Sequence, residues 1–217
     1  NLGVGSGPHG QQTGRMLDRA LAKLRGYPGD FEVLEIICEG QPSGAGMRAR
    51  ILDDYYLHMA GSTAIRNRQA HLAARLGKTL HEERDRGHTP VRMLSLGCGA
   101  VRELTLLVDD PVLRETTEVT CVDRDPDGLR YARKRLRKHL DGRARYVRSD
   151  TLRLVRFPKW AQPGYHVIYI PWALDFLPDD QAARLIADCH EELAPGGRLL
   201  ACNLSARAPE NECALID

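Results

Sequence analysis

The sequence lacks the features of membrane, secreted and nucleic-acid-coating proteins. It has no apolar run near the ~18 residues that a membrane-spanning helix needs, and no secretory signal pattern opens it. Its net charge is only +2 over 217 residues, which gives no reason to expect bulk attraction to nucleic acid or to a membrane surface. We therefore predict no membrane span and no nucleic-acid partner.

Cysteine is present but is not arranged for disulfides or metal. There are six cysteines and no C-x-x-C pair, and Cys98, Cys121, Cys189 and Cys202 fall in or beside apolar segments. Small buried thiols of this kind are typical of a reducing compartment. This predicts a cytoplasmic location and no metal site.

The first 88 residues have mostly helical patterns. Apolar residues recur at helical spacing in 13–25, 47–59 and a following helix that Ser62 or Thr63 could cap. Residues 31–38 fit a strand or a short helix equally well, and 82–88 have the polar character of a linker. We predict an N-terminal helical cap or substrate region over residues 1–88 and a nucleotide-binding core over 89–217.

The stretch from Val91 to Asp125 organises that core. A buried strand runs into a turn with Gly97 and Gly99, and a second buried strand ends at Asp123, roughly 20 residues after the glycines. Strands and helices then alternate, with further strands predicted at 145–147, 166–170 and 198–204. This alternation indicates an α/β fold, a doubly wound and mostly parallel sheet.

The strand ends carry the residues of interest. Ligands of doubly wound sheets bind at the carboxyl ends of the strands, where strand order reverses. Gly97, Gly99, Asp123, Asp150 and Pro171 all lie at such ends. Arg102 takes the place of a third glycine in the turn, which disfavours a dinucleotide-binding site.

Four segments together resemble the class I S-adenosylmethionine-dependent methyltransferases over residues 91–204. They are L-G-C-G (96–99), V-D-R-D-P (122–126), S-D (149–150) and L-A-P-G-G-R-L-L (193–200). The resemblance implies a Rossmann-like methyltransferase core with S-adenosylmethionine as cofactor. It also implies that two closing strands of the sheet are missing after the fifth, so a truncated chain, or a partner chain or homodimer contact at that edge, is expected.

The resemblance also implies roles for individual residues. Gly97 and Gly99 would let the backbone approach the methionine part of the cofactor, and Asp123 would accept hydrogen bonds from the ribose hydroxyls. Ser95 stands where related enzymes often have an acid, so Glu103 is a candidate substitute for the ammonium contact. The full predicted cofactor set is Ser95, Gly97, Cys98, Gly99, Glu103, Asp123, Arg124, Ser149, Asp150, Thr151 and Pro171, with residues 149–151 at the adenine.

A closer resemblance involves R-N-R (66–68), L-G-C-G-x-x-R-E (96–103), A-L-D-F-L-P-D (173–179) and P-G-G-R-L-L-x-x-N-L (195–204). These are similar to the bacterial methyltransferases of 3-hydroxypalmitic acid methyl ester biosynthesis. That group would imply methylation of a fatty-acid carboxylate or a related small molecule.

The acceptor side is predicted from the end of the fourth strand. It reads I-P-W-A rather than the (N/D)-P-P-(Y/F) of enzymes that methylate planar amines, which favours a small-molecule oxygen, a carboxylate or a hydroxyl. Trp172 and Asp175 would face the methyl donor, although a core aromatic and a surface or helix-capping acid are equally consistent. Arg66 and Arg68 could pair with an acceptor carboxylate or be exposed helix charges, and His58 is a candidate lid or base residue.

Other functions remain open from the sequence alone. Residues 130–156 hold eleven Lys and Arg against two acids, which fits a nucleic-acid footprint but fits a solvated helix face better. An aminopropyl transferase, a dinucleotide oxidoreductase and a non-catalytic cofactor-binding or partner-binding module are the alternatives to a methyltransferase.

Overall fold

The computed structural model describes residues 14–27, 29–140, 142–150 and 164–203. Thr151, predicted at the adenine, lies outside the described residues. The chain divides into two compact units, one ending at Asn67 and the other beginning at Arg68. The predicted functional division between residues 88 and 89 stays a prediction.

The second unit is built on five parallel strands in the order β3-β2-β1-β4-β5. The strands are β1 (Val91–Leu96), β2 (Thr117–Asp123), β3 (Ala144–Arg148), β4 (Tyr165–Ile170) and β5 (Leu193–Ala201). The connecting helices are α5 (Arg102–Thr105), α6 (Pro111–Thr116), α7 (Pro126–Leu136) and α8 (Asp179–Glu192). The predicted doubly wound α/β fold is confirmed, and strand order reverses between β1 and β4.

Both faces of the sheet are buried, as parallel sheets require. Alternate residues of β1 point to opposite faces, so Met93 packs in the core that holds α7, whereas Leu94 packs in the core that holds α8. In β4 every residue is buried. This is why β1 and β4 are mostly apolar in sequence.

The first unit contains α1 (Arg15–Ala22), α2 (Phe31–Glu39), α3 (Met47–His58) and the first turns of α4 (Ala60–Asp85). Its core is formed by Val33, Ile36, Ile37 and Leu57. The ambiguous segment 31–38 is a helix, because Asp30 caps it by accepting from the backbone N–H groups of Glu32 and Val33 and Gly40 ends it in the left-handed conformation.

Two expectations about α4 are wrong. Ser62 and Thr63 do not cap its start, because the helix begins at Ala60; the Ser62 hydroxyl donates instead to the carbonyl of Tyr56 at 2.7 Å. Residues 82–88 are not simply a linker, because α4 continues to Asp85. One acid of this polar segment, Glu83, is buried.

Glu83 anchors a polar cluster near the start of β1 and β4. Its fully buried side chain lies 2.6 Å from Arg86 Nη1 and 3.0 Å from His88 Nδ1. The ring of His88 stacks on that of His166, with centroids 4.0 Å apart, and His166 Nδ1 accepts from the backbone N–H of Arg92 at 3.0 Å. Burial lowers the pKa of His166, and the neighbouring His88 and Arg92 add to this effect.

None of the described helices combines the length and apolar character that crossing a bilayer requires. Within the described ranges, no group of three or more His, Cys, Asp or Glu side chains is arranged to hold a metal ion. No disulfide joins any of the cysteines in those ranges, which are Cys38, Cys98, Cys121, Cys189 and Cys202.

Candidate functional site

The turn after β1 depends on two glycines with positive φ. Gly97 has φ 64° and Gly99 has φ 50°, a region that residues with a Cβ rarely enter. A Cβ added to Gly97 would also lie only 3.0 Å from the Cβ of Ala173. The turn after β1 therefore packs closely on the segment after β4, at the point where strand order reverses.

Asp123 ends β2 and holds this turn directly. Its Oδ2 accepts from the backbone N–H of Gly99 at 2.7 Å, and its Oδ1 accepts from the N–H of Asp125 at 2.8 Å. Burial raises the pKa of Asp123, and these two hydrogen bonds oppose that rise. Each oxygen has a second lone pair, so the carboxylate can bind the turn and still accept from a ligand hydroxyl.

The structure brings Gly97, Gly99 and Asp123 together at one edge. All three are partly exposed, whereas Leu96 and Val122 just before them are buried. A glycine-lined backbone beside a carboxylate fits an adenosyl cofactor, because the backbone can approach closely and the acid can accept from ribose. The predicted role of these three residues in holding S-adenosylmethionine fits this geometry and stays a prediction.

Ser95 and Glu103, the two candidates for the ammonium contact, are buried beneath the turn. Ser95 lies opposite Tyr169 in the β1–β4 register, and the Tyr169 hydroxyl donates to Glu103 Oε1 at 2.8 Å. Glu103 is 1% exposed. Burial, with the charge of Glu103 adding, raises the pKa of Tyr169. This arrangement supports the turn from inside the sheet, and the cofactor role of Ser95 and Glu103 stays a prediction.

Sequence reasoning missed Tyr169 as part of this network. Tyr169 lies in a mostly apolar, buried strand, so the pattern gave no reason to expect a hydrogen bond from its hydroxyl. The signal that could have found it is its position at the end of β4, beside a serine that replaces an expected acid.

Cys98 lies within the glycine turn but points into the core. Cys98 is 1% exposed, and burial together with the neighbouring Cys121 raises the pKa of its thiol. A protonated, enclosed thiol is a poor nucleophile. Through its side chain Cys98 is a packing residue, whereas its backbone N–H bonds to the carbonyl of Val122 at 3.0 Å.

The remaining cofactor candidates lie near neighbouring strand ends. Arg124 is exposed next to Asp123, Ser149 and Asp150 are partly exposed after β3, and Pro171 is buried after β4. The backbone N–H of Ser149 donates to the carbonyl of Asp123 at 3.0 Å, which brings the end of β3 to the end of β2. Their contacts with a cofactor stay predictions.

Three of the acceptor-side candidates form one cluster after β4. Arg68 Nη1 lies 2.8 Å from Asp175 Oδ2, and the Arg68 guanidinium stacks on the Trp172 ring with Cζ 3.7 Å from the centroid. The side chain of Arg68 is 2% exposed and that of Asp175 is 20% exposed. Arg68 therefore fixes both an aromatic ring and a carboxylate.

Arg66 and His58 make their contacts within the first unit. Arg66 donates to the carbonyls of Leu57 and Ile37 at 2.9 and 3.2 Å, and to Thr63. The His58 ring, largely exposed, lies 2.7 Å from the carbonyl of Asp54. The predicted roles of Arg66 and His58 in binding or catalysis stay predictions.

Part of the chain is similar to a known protein family. Residues 93–197, just under half of the chain, match the family model for a methyltransferase domain. No significant match is found among curated protein sequences.

Several solved structures are similar to part of this chain. A possible exported protein from Bordetella parapertussis is 23% identical with a TM-score of 0.64, over 82% of this chain and 55% of that one. A methyltransferase from Thiobacillus denitrificans in complex with S-adenosyl-L-homocysteine is 20% identical with a TM-score of 0.45, over 64% of this chain and 50% of that one. A glycopeptide N-methyltransferase complexed with S-adenosyl-L-methionine is 22% identical with a TM-score of 0.46, over 63% of this chain and 57% of that one. The chain thus spans only 50–57% of the length of these proteins, and the likeness to the first shows the fold.

Proposed function

We propose that the chain is an S-adenosylmethionine-dependent enzyme that methylates an oxygen atom of a small molecule, a proposal supported by the match of residues 93–197 to the family model for a methyltransferase domain. The observation that supports cofactor binding best is the contact between the Gly99 N–H and the Asp123 carboxylate at 2.7 Å. When bound, S-adenosylmethionine supplies an electrophilic methyl group on a sulfonium. The protein must then align an acceptor and exclude water.

The contacts of the two arginines favour a hydroxyl acceptor over a carboxylate. Arg68 is already neutralised by Asp175, and Arg66 donates to two backbone carbonyls. An acceptor carboxylate that paired with either arginine would have to displace these contacts, which costs their hydrogen bonds. A hydroxyl does not need a cationic partner, but it does need a group that takes its proton.

Asp175 is the proposed proton acceptor. Its Oδ2 is held by Arg68, so Oδ1 is the atom that would take up the hydroxyl proton. Trp172, held against the same guanidinium, would line the acceptor site and help to exclude water. A fatty-acid carboxylate, suggested by the resemblance to 3-hydroxypalmitic acid methyl ester enzymes, is the alternative acceptor; it needs no base.

The test begins with calorimetric titration of S-adenosylhomocysteine and of NAD into the purified chain. We expect binding of the first and not of the second; the reverse would identify an oxidoreductase and overturn the proposal. Release of S-adenosylhomocysteine from S-adenosylmethionine is then measured with panels of hydroxylated compounds and of fatty acids. Cofactor binding without turnover on any acceptor would favour the non-catalytic module.

Asp175→Asn separates the two acceptor classes. It keeps the shape of the side chain but removes its basicity, so turnover of a hydroxyl acceptor should fall by about 10²-fold or more, whereas turnover of a carboxylate should change little. Asp179→Asn, at the exposed start of α8, is the matched control and should leave both rates unchanged.

A further inference from the structure

The helix α7 contacts the glycine turn at two separate points. A Cβ added to Gly128 would lie 3.3 Å from the carbonyl oxygen of Gly99 and 3.4 Å from its Cα, so the helix and the turn meet backbone to backbone. Seven residues further along the helix, Arg135 Nη1 donates to the carbonyl of Ala100 at 2.9 Å. Both contacts are to the backbone of the turn and neither depends on the side chains that the turn carries.

The helix is itself fixed, so these contacts can hold the turn in place. Leu129, Ala132 and Leu136 are buried in the core beneath it. Asp125 caps its first turn by accepting from the N–H of Asp127 at 2.8 Å. Helix α7 therefore presents Gly128 and Arg135 from a rigid element.

The turn needs such support because its backbone is in an unfavourable conformation. Besides the two glycines, Val101 has φ 48° and ψ 43°, and a β-branched residue in the left-handed region is a clear outlier. Conformations of this kind cost roughly 1–3 kcal/mol and persist only where their surroundings determine them. Contacts from a fixed helix to Gly99 and Ala100, the two residues directly before Val101, meet that requirement.

We infer that Gly128 and Arg135 are positioning residues for the cofactor, acting through the backbone of Gly99 and Ala100. The inference rests on the proposed function, since it assumes that this turn binds the methyl donor. It also explains how the turn does without a third glycine: Arg102 occupies that place, and the close helix approach comes from Gly128 in the next helix.

The first test is a size series at Gly128. A Cβ on Gly128 must push the backbone of Gly99 by a few tenths of an ångström, and a valine must push it further. We expect the affinity for S-adenosylhomocysteine to fall about threefold in Gly128→Ala and about tenfold or more in Gly128→Val, because small misplacements of a binding group are costly. Gly61→Ala is the matched control: it is also a helical glycine, but nothing lies within 4 Å of its added Cβ, and its affinity should equal that of the wild type.

A pair of Arg135 variants tests the second contact without changing packing at Gly99. Arg135→Met keeps the length of the side chain but removes the donor, and its affinity should fall several-fold. Arg135→Lys keeps a donor and should restore most of that loss. Arg133→Met is the control on the same helix, because Arg133 stacks on Tyr146; it should bind as tightly as the wild type.

The melting temperature without ligand is recorded for every variant, so that lost affinity can be separated from lost folding. Wild-type chain that binds S-adenosylhomocysteine while Gly128→Val and Arg135→Met bind equally well would overturn this inference and leave the proposed function intact. Wild-type chain that does not bind S-adenosylhomocysteine would overturn both.

Discussion

Replacement of Asp123 by Asn changes one atom at the centre of the proposed cofactor site. The carboxylate accepts from two backbone N–H groups, one on each oxygen. An amide has a single oxygen, so in Asp123→Asn either Gly99 or Asp125 faces an NH₂ group. The variant therefore loses the negative charge, one support of the turn and a strong acceptor for the cofactor at the same time.

The expected loss of cofactor affinity is larger than the loss of stability. Hydrogen bonds to a charged group contribute about 1.5–3 kcal/mol, which corresponds to a 10- to 150-fold weaker affinity for S-adenosylhomocysteine. For the unliganded fold, an orphaned N–H costs about 1–3 kcal/mol. Burial raises the pKa of Asp123, which means that it destabilises the ionised carboxylate. A neutral amide avoids this destabilisation, so part of the cost of the orphaned N–H is offset.

Isothermal titration calorimetry and urea unfolding measure the two effects separately. Asp110→Asn is the control, because Asp110 also accepts from two backbone N–H groups, those of Val112 and Leu113, where it caps α6. Both N–H groups bond to the same oxygen, which the amide keeps, and Asn caps a helix about as well as Asp. The variant should therefore lose at most about 1 kcal/mol, from the contact with the His81 ring at 2.9 Å, and keep the affinity of the wild type. A folded Asp123→Asn variant with wild-type affinity would refute the reasoning and remove Asp123 from the site.

Two further predictions concern stability. Tyr169→Phe should lower the free energy of unfolding by about 1–3 kcal/mol, because the buried Glu103 loses a donor; an unchanged urea midpoint would show that this hydrogen bond contributes nothing. The lowered pKa of His166, caused by burial and then by His88 and Arg92, means that the unfolded chain binds the proton more tightly. The contribution of neutral His166 to the free energy of unfolding is complete above the pKa of this residue in the unfolded chain, near 6.5, and decreases as the pH falls below that value. His166→Asn, which keeps an acceptor for the Arg92 N–H, should show a smaller loss of stability between pH 7.5 and 5; equal losses would contradict the prediction.

The sheet could be predicted from the sequence because each strand is marked by its own residues and by those that directly flank it. Mostly apolar segments such as 165–170 are bounded by glycine, proline or acid, and their alternation with helical patterns specifies parallel pairing. The segment 31–38 shows where periodicity was too short to decide, although its flanking residues, Asp30 and Gly40, carried the signal of a helix.

The contacts of the charged residues could not be predicted in this way. Arg68 finds its partner Asp175 across 107 positions of sequence, so helical spacing alone could not distinguish a buried ion pair from a solvated charge. Glu83 is likewise fully buried within a run that has the composition of a linker. In both cases the burial depends on tertiary packing, which decides the environment of a charge more strongly than its neighbours in sequence do.

The glycine turn is contacted from three directions by elements that are far apart in the sequence. Asp123 binds it from β2, Ala173 lies against it after β4, and Gly128 approaches it from α7. A binding surface that is already ordered loses little conformational entropy when its ligand arrives. Ser95 stands where related enzymes often have an acid, so one contact to the proposed cofactor is missing. The preorganised backbone contacts of the turn offset that loss, because they need little further ordering when the cofactor binds.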